Sequence, residues 1–189
     1  MFELPEFVTL ARQMNETLQG KTIRSGSLGN LAHKFVWYNR TPEEFAQLTP
    51  GKTIGEARAQ GRWLFLPLQP GYVMLFGECG GKLLYHPAGT ERPKTHHLFL
   101  TLDDGSALTA TTQMWGAYEL YDAVIVDTVQ EVIAQGGRCD EVDLYGRPGG
   151  YVRLMDKESL GRPCPGCGGA VEKVQYLGGA CYYCPTCQR

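Results

Sequence analysis

The sequence predicts a mainly β fold with few helices: a two-layer β-sandwich behind an N-terminal helix, then a small C-terminal ribbon held by four cysteines. Three observations predict it. A single one-faced helical period opens the chain, short apolar runs separated by turn residues fill the next hundred residues, and two Cys-x2-Cys knuckles stand near the end. At 189 residues with 43% hydrophobic and 20% charged residues, the chain can bury a real core.

Pro5 sits at a first helical position, and Phe7, Leu10, Ala11, Met14 and Leu18 fall on one helical face. Gly20 closes that helix. Strands are then expected at 22–23, 34–39, 63–68, 72–76, 82–86, 97–102 and 107–111, with a hairpin turn at Asp103-Asp104-Gly105-Ser106. A second helix is expected from Asp122 to Gly136, with Val126, Val129 and Ile133 on one side and Gly136-Gly137 stopping it. Residues 138–160 carry Gly146, Pro148, Gly149 and Gly150 and read as an ordered connector. The expected division is a sandwich domain at 1–121, a helix and connector at 122–160, and a four-cysteine finger at 161–189.

The finger holds Cys164-Pro165-Gly166-Cys167 and Cys184-Pro185-Thr186-Cys187. Each knuckle lets two sulfurs reach one ion about 2.3 Å away, and the pair completes a tetrahedron, which predicts one structural Zn2+. Disulfides, or four unrelated thiols, are the competing reading. Cys181 and Cys184 share the same spacing, but Cys184 and Cys187 repeat the form of the first knuckle and are preferred. So short a segment cannot bury enough apolar surface to fold alone, so the metal would supply much of its folding free energy.

No apolar run approaches the ~20 residues that span a bilayer, so no membrane partner is expected. The opening shows no basic region followed by an apolar core, and seven cysteines without one suit a reducing, cytoplasmic setting. A net charge of −2 argues against a strong grip on a nucleic-acid backbone, though not against a local basic face.

Both ends resemble the formamidopyrimidine-DNA glycosylase and endonuclease VIII family of base-excision repair. The front match is Glu3-Leu4-Pro5-Glu6 with the helix ending at Leu18-Gln19-Gly20-Lys21-Thr22-Ile23. Inside, Gly51-Lys52-Thr53-Ile54 and Gly61-Arg62-Trp63-Leu64 resemble the approach to the family's lysine hairpin. At the back the match is Leu144-Tyr145-Gly146-Arg147-Pro148-Gly149-Gly150-Tyr151 with the cysteine finger. The resemblance implies a β-sandwich, a helix–two-turn–helix domain and a zinc ribbon, with double-stranded, damaged DNA running through the cleft between the halves. Here the chain between 122 and 160 lacks the length for the middle domain's helices, so one wall of that cleft is expected to be missing.

The same resemblance assigns chemistry residue by residue. The family's nucleophile is the terminal amine of a proline at position 2; here Phe2 stands there, and the amine would belong to Met1. One extra residue displaces it by ~3.5 Å, when attack needs reacting atoms about 3 Å apart. Glu3 matches the family's acid and is a candidate proton carrier; its other reading is a carboxylate favouring the helix start. The hairpin lysine is replaced by Arg62, which keeps a phosphate contact but cannot serve as an amine. The ribbon's phosphate-binding arginine position holds Gly179, with Lys173 or Arg189 as substitutes. Glu78 stands at a void-filling position, where it would repel phosphates. Gln113 and Trp115 stand where the family carries wedge residues that fill the gap left by a flipped base, although Trp115 can equally be core. His96 and His97 read as structural. The first expectation is therefore a repair-family zinc protein that binds DNA with glycosylase and lyase chemistry weak or lost. An active enzyme using Met1 or Lys52, and a scaffold for a protein partner, are the alternatives.

Overall fold

The computed structural model describes residues 2–29, 34–78, 80–176 and 178–188. Met1 and Arg189, candidates for the reactive amine and a phosphate contact, lie outside the described residues, as do Cys79 and Leu177. Helix α1 spans Leu4–Thr17 behind the N-cap Glu3, whose backbone N–H donates to the Glu6 carboxylate at 2.9 Å. Pro5 lies in the first turn, where its missing N–H breaks no helical bond. Phe7, Ala11, Met14 and Leu18 form the buried stripe. Gly20 follows with φ +83°, a conformation glycine adopts without Cβ strain, and its N–H reaches the Ile54 carbonyl at 2.8 Å.

Among the described residues the sandwich is built from ten strands. They are β1 (Ile23–Leu28), β2 (Val36–Tyr38), β3 (Thr53–Ile54), β4 (Arg58–Gln60), β5 (Trp63–Gln69), β6 (Tyr72–Gly77), β7 (Gly81–His86), β8 (Leu98–Leu102), β9 (Ala107–Thr112) and β10 (Gly116–Asp122). One sheet runs β1-β8-β9-β7; the other runs β2-β10-β6-β5-β3, with β4 also paired to β5. All neighbours are antiparallel except β2 and β10. The two-residue period drives the layering. Leu64, Leu66 and Leu68 of β5 with Met74 and Phe76 of β6 face Leu98, Leu100, Leu102 and Leu108 of the other sheet, and α1 adds its stripe to the same core.

Among the described residues, helices α2 (Pro42–Leu48) and α3 (Ala123–Ala134) complete this part. Helix α2 is absent from the sequence reading, because it buries one residue, Phe45, and so shows no period. Its start is nonetheless written in Thr41-Pro42-Glu43-Glu44: Thr41 Oγ1 accepts from the Glu44 N–H at 3.2 Å, and Glu44 accepts from the Thr41 N–H at 2.8 Å. Helix α3 (Ala123–Ala134) begins directly after β10, and Val126 packs with Val73 and Leu75 on the outer face of the β5/β6 sheet. The expected stripe ends there, since Val129 and Ile133 are exposed.

The chain divides into two compact units, residues 1–127 and 128–189. In the second, Asp143 gathers the N–H groups of Tyr145 and Arg147 at 2.8 and 2.9 Å and the Arg147 guanidinium at 3.0 Å, which fixes the connector loop. A 3-10 turn at Lys157–Ser159 precedes the hairpin of β11 (Glu172–Tyr176) and β12 (Gly179–Tyr183). Between β10 and this hairpin the chain carries one α-helix, where the family resemblance implies a domain of several.

Candidate functional site

Gly61 and Arg62 form the two-residue turn between β4 and β5, with Gln60 opposite Trp63 and Gly61 at φ +58°. The turn carries the Arg62 guanidinium between two carboxylates. Nη2 lies 3.0 Å from Glu78, and Nε lies 3.7 Å from Glu3. Glu78 follows β6 at φ +50°, the one described non-glycine residue in the left-handed region. Such a conformation is costly for a side chain with a Cβ. Phe2 lies beside this cluster in sequence but turns inward, its ring edge-on to Phe7 at 5.8 Å.

The turn after Glu78 is tied to the one carrying Gln113 and Trp115. The Gly80 N–H donates to the Trp115 carbonyl at 2.8 Å, and the Gln113 N–H donates to the Gly80 carbonyl at 2.6 Å. Gln113 is exposed and Trp115 lies outside the core. Its ring stacks on Trp37 at 5.4 Å with planes 14° apart, and contacts Phe35 at 4.5 Å. The parallel pairing of β2 with β10 brings them together, with the Gly116 N–H donating to the Phe35 carbonyl at 3.0 Å. Reading the sequence missed Phe35 and Trp37. The available signal was the run of closely spaced aromatics at 35, 37 and 38.

His97 is buried and accepts the Thr112 N–H at Nδ1 (2.8 Å), while its carbonyl accepts the Tyr38 hydroxyl at 3.0 Å. Burial pushes the Tyr38 phenol up to about 12. His96 meets Ser27 at 3.2 Å, and burial lowers its pKa. Both histidines brace strands.

In the second unit Cys164, Cys167, Cys184 and Cys187 bring their sulfurs within 4.8 Å of one another; Cys181, on β12, lies outside that set. The Cys167–Cys184 and Cys164–Cys187 separations are 3.4 and 3.7 Å. A tetrahedron with 2.3 Å metal–sulfur bonds has edges of about 3.8 Å, so the arrangement fits an ion at its centre. Gly168, at φ +76°, turns the first knuckle, and the Gly166 N–H points at Cys164 Sγ at 3.4 Å. The Cys187 amide lowers the Cys184 thiol to about 6, whereas the neighbouring sulfurs, Cys167 first, push Cys187 up to about 12. Four sulfurs this close cannot all be anions without a cation among them. Lys173 is exposed on β11 opposite Tyr182, and Gly179 begins β12.

Fold and site together define a β-sandwich protein with an acid–arginine cluster at its first helix and a four-thiol centre. Residues 1–118 match the formamidopyrimidine-DNA glycosylase N-terminal domain, and the chain belongs to that family. The formamidopyrimidine-DNA glycosylase of Exiguobacterium sp. is 32% identical over 108 residues, covering 57% of this chain and 38% of the relative. That of Chloroflexus aurantiacus is 33% identical over 127 residues, covering 65% and 44%. The chain thus aligns with less than half the length of these relatives. Among solved structures, a Lactococcus lactis FPG mutant in complex with a Fapy-dG containing DNA has a TM-score of 0.55 at 17% identity. MutM in complex with carbocyclic 8-oxo-G containing DNA has 0.58 at 16%. Both alignments cover 100% of each chain, and at these identities they show a shared fold.

Proposed function

We propose that the chain is a zinc-holding, DNA-binding member of the repair family whose glycosylase and lyase chemistry is weak or lost, and that its partner is double-stranded or damaged DNA. One observation carries this reading: the candidate acid Glu3 is paired with an arginine standing where the family resemblance places a lysine amine. A guanidinium cannot become the neutral amine that attacks a sugar carbon. Gln113 and Trp115 would meet the bases and Arg62 a phosphate, with Lys173 a further backbone contact. Cys164, Cys167, Cys184 and Cys187 would hold Zn2+, which when bound fixes both knuckles and performs no step of a reaction.

Borohydride trapping on a duplex with an abasic site tests the reading. Wild type is expected to give no more covalent product than Glu3→Gln, and an adduct mapped to the N-terminal residue would refute it. Exposed Ile125, Val129 and Ile133 on α3 favour a second reading, a scaffold for a protein partner. Failure to bind any nucleic acid at low salt would select it, since electrostatic binding is strongest there.

A further inference from the structure

Two features of the first unit adjoin, and of their residues only Trp115 enters the reading proposed above. The first is the ring cluster of Phe35, Trp37 and Trp115, in which Trp37 and Trp115 remain 45% and 40% exposed. Beside it, Met114 is 61% exposed and the Lys34 ammonium lies 5.5 Å from the Phe35 ring centre. The second is an open groove of about 540 Å³ across β7 and β9, lined by Lys82, Arg92 and Lys94 with the hydroxyls of Thr109 and Thr111. Three cations face one acid, Glu91, in a chain whose net charge is −2, so positive charge is concentrated here against the overall balance.

Strand register joins the two. Lys82 stands opposite Thr111 and Gly81 opposite Thr112, and Gly80 is bonded to both Gln113 and Trp115. The cationic end of the groove is therefore two residues from the ring-bearing turn, roughly 7 Å at strand rise. Arg92 is held in place by its bond to the Gly105 carbonyl at 2.5 Å and its position over Phe99.

We infer that this continuous face binds single-stranded DNA, with unpaired bases stacking on Trp37 and Trp115 and the backbone running along Lys82, Lys94 and Arg92. The inference rests on the DNA-binding reading above and narrows it. Rings already stacked on one another accept a further flat face at little ordering cost, and each stacked base contributes about 1–3 kcal/mol. A duplex keeps its bases within its own stack, and exposing them costs a few kcal/mol per step. With one helix where several would form an opposing wall, nothing among the described residues of this unit offers to offset that cost.

The test uses the full zinc-loaded chain, a fluorescein-labelled 15-nucleotide oligo(dT), and a duplex of the same length. Oligo(dT) is expected to bind at least tenfold more tightly than the duplex at 50 mM salt and to quench tryptophan emission. Trp37→Ala should weaken oligo(dT) binding about tenfold and leave its salt slope unchanged. Lys82→Glu, which leaves the rings untouched and so keeps the test independent of how Trp37→Ala folds, should weaken it by a similar factor and change the slope by about one or more. Duplex binding equal to or tighter than oligo(dT) binding, with both variants neutral, overturns this inference while leaving the DNA-binding reading intact. Absence of binding to either DNA overturns both.

Discussion

Arg62 stands between two carboxylates, and these neighbours decide what it offers a ligand. With Glu78 at 3.0 Å and Glu3 at 3.7 Å, its charge is already matched before any phosphate arrives. Glu78→Gln should therefore raise affinity for oligonucleotides several-fold at low salt, with the gain fading as the ionic strength passes ~0.2 M; fluorescence anisotropy across a salt series measures it. A second carboxylate gives a pH prediction. Asp104 accepts the Lys21 ammonium at 2.8 Å and both the hydroxyl and the N–H of Ser106, and these contacts, Lys21 first, hold its pKa well below the ordinary 3.8. The unfolded chain then binds more protons than the folded one in acid. The stabilisation is complete above the unfolded value and lost as pH falls through the folded one. Asp104→Asn should lower the melting temperature at pH 7, and the gap to wild type should close as melts are repeated down toward pH 2.

At the scale of elements, legibility followed how local the cause was. Helix α1 and most strands could be read because period and punctuation lie within each segment: Pro5 and Gly20 bracket one, and Asp103–Ser106 ends another. Helix α2 escaped because its single buried residue leaves only the cap at Thr41 as a signal. The ring cluster escaped because it depends on β2 pairing beside β10, a contact between distant parts of the chain. The four thiols were legible because each knuckle is local, whereas the Arg62–Glu78 pair needs the β4–β5 and β6–β7 turns to meet. Helix α2 also explains a glycine. A Cβ on Gly26 of β1 would lie 2.8 Å from Phe45 Cε1 and closer still to Thr49 Oγ1, and both residues are buried. Gly26→Ala should cost about 1–3 kcal/mol through overpacking, and Thr41→Ala about 1 kcal/mol through loss of the cap. Urea unfolding should show both as lower midpoints with unchanged slope, and a neutral Gly26→Ala would mean that α2 does not press on β1 as described.

For the whole molecule, the two units draw stability from different sources. The sandwich buries a continuous core from both sheets and α1, while among the described residues the second unit's core is Cys164, Val171 and Cys184 with Met155 and Tyr182 against them. Three buried residues cannot offset the entropy of ordering some thirty, at roughly 1–2 kcal/mol each for backbone alone, a difference that an ion held by the four thiols would supply. All three tryptophans, at 37, 63 and 115, lie in the first unit, and five of the seven cysteines, at 164, 167, 181, 184 and 187, lie in the finger. The two units can thus be followed separately. A strong chelator should make the four ligand thiols reactive toward a thiol reagent and remove ribbon structure, while tryptophan emission and the main thermal transition stay within error. Added Zn2+ should restore protection with one ion per chain. If chelation instead shifted the tryptophan signal and collapsed the main transition, the finger would be part of the sandwich's own folding unit. If it left the thiols as protected as before, they would not be holding a metal at all.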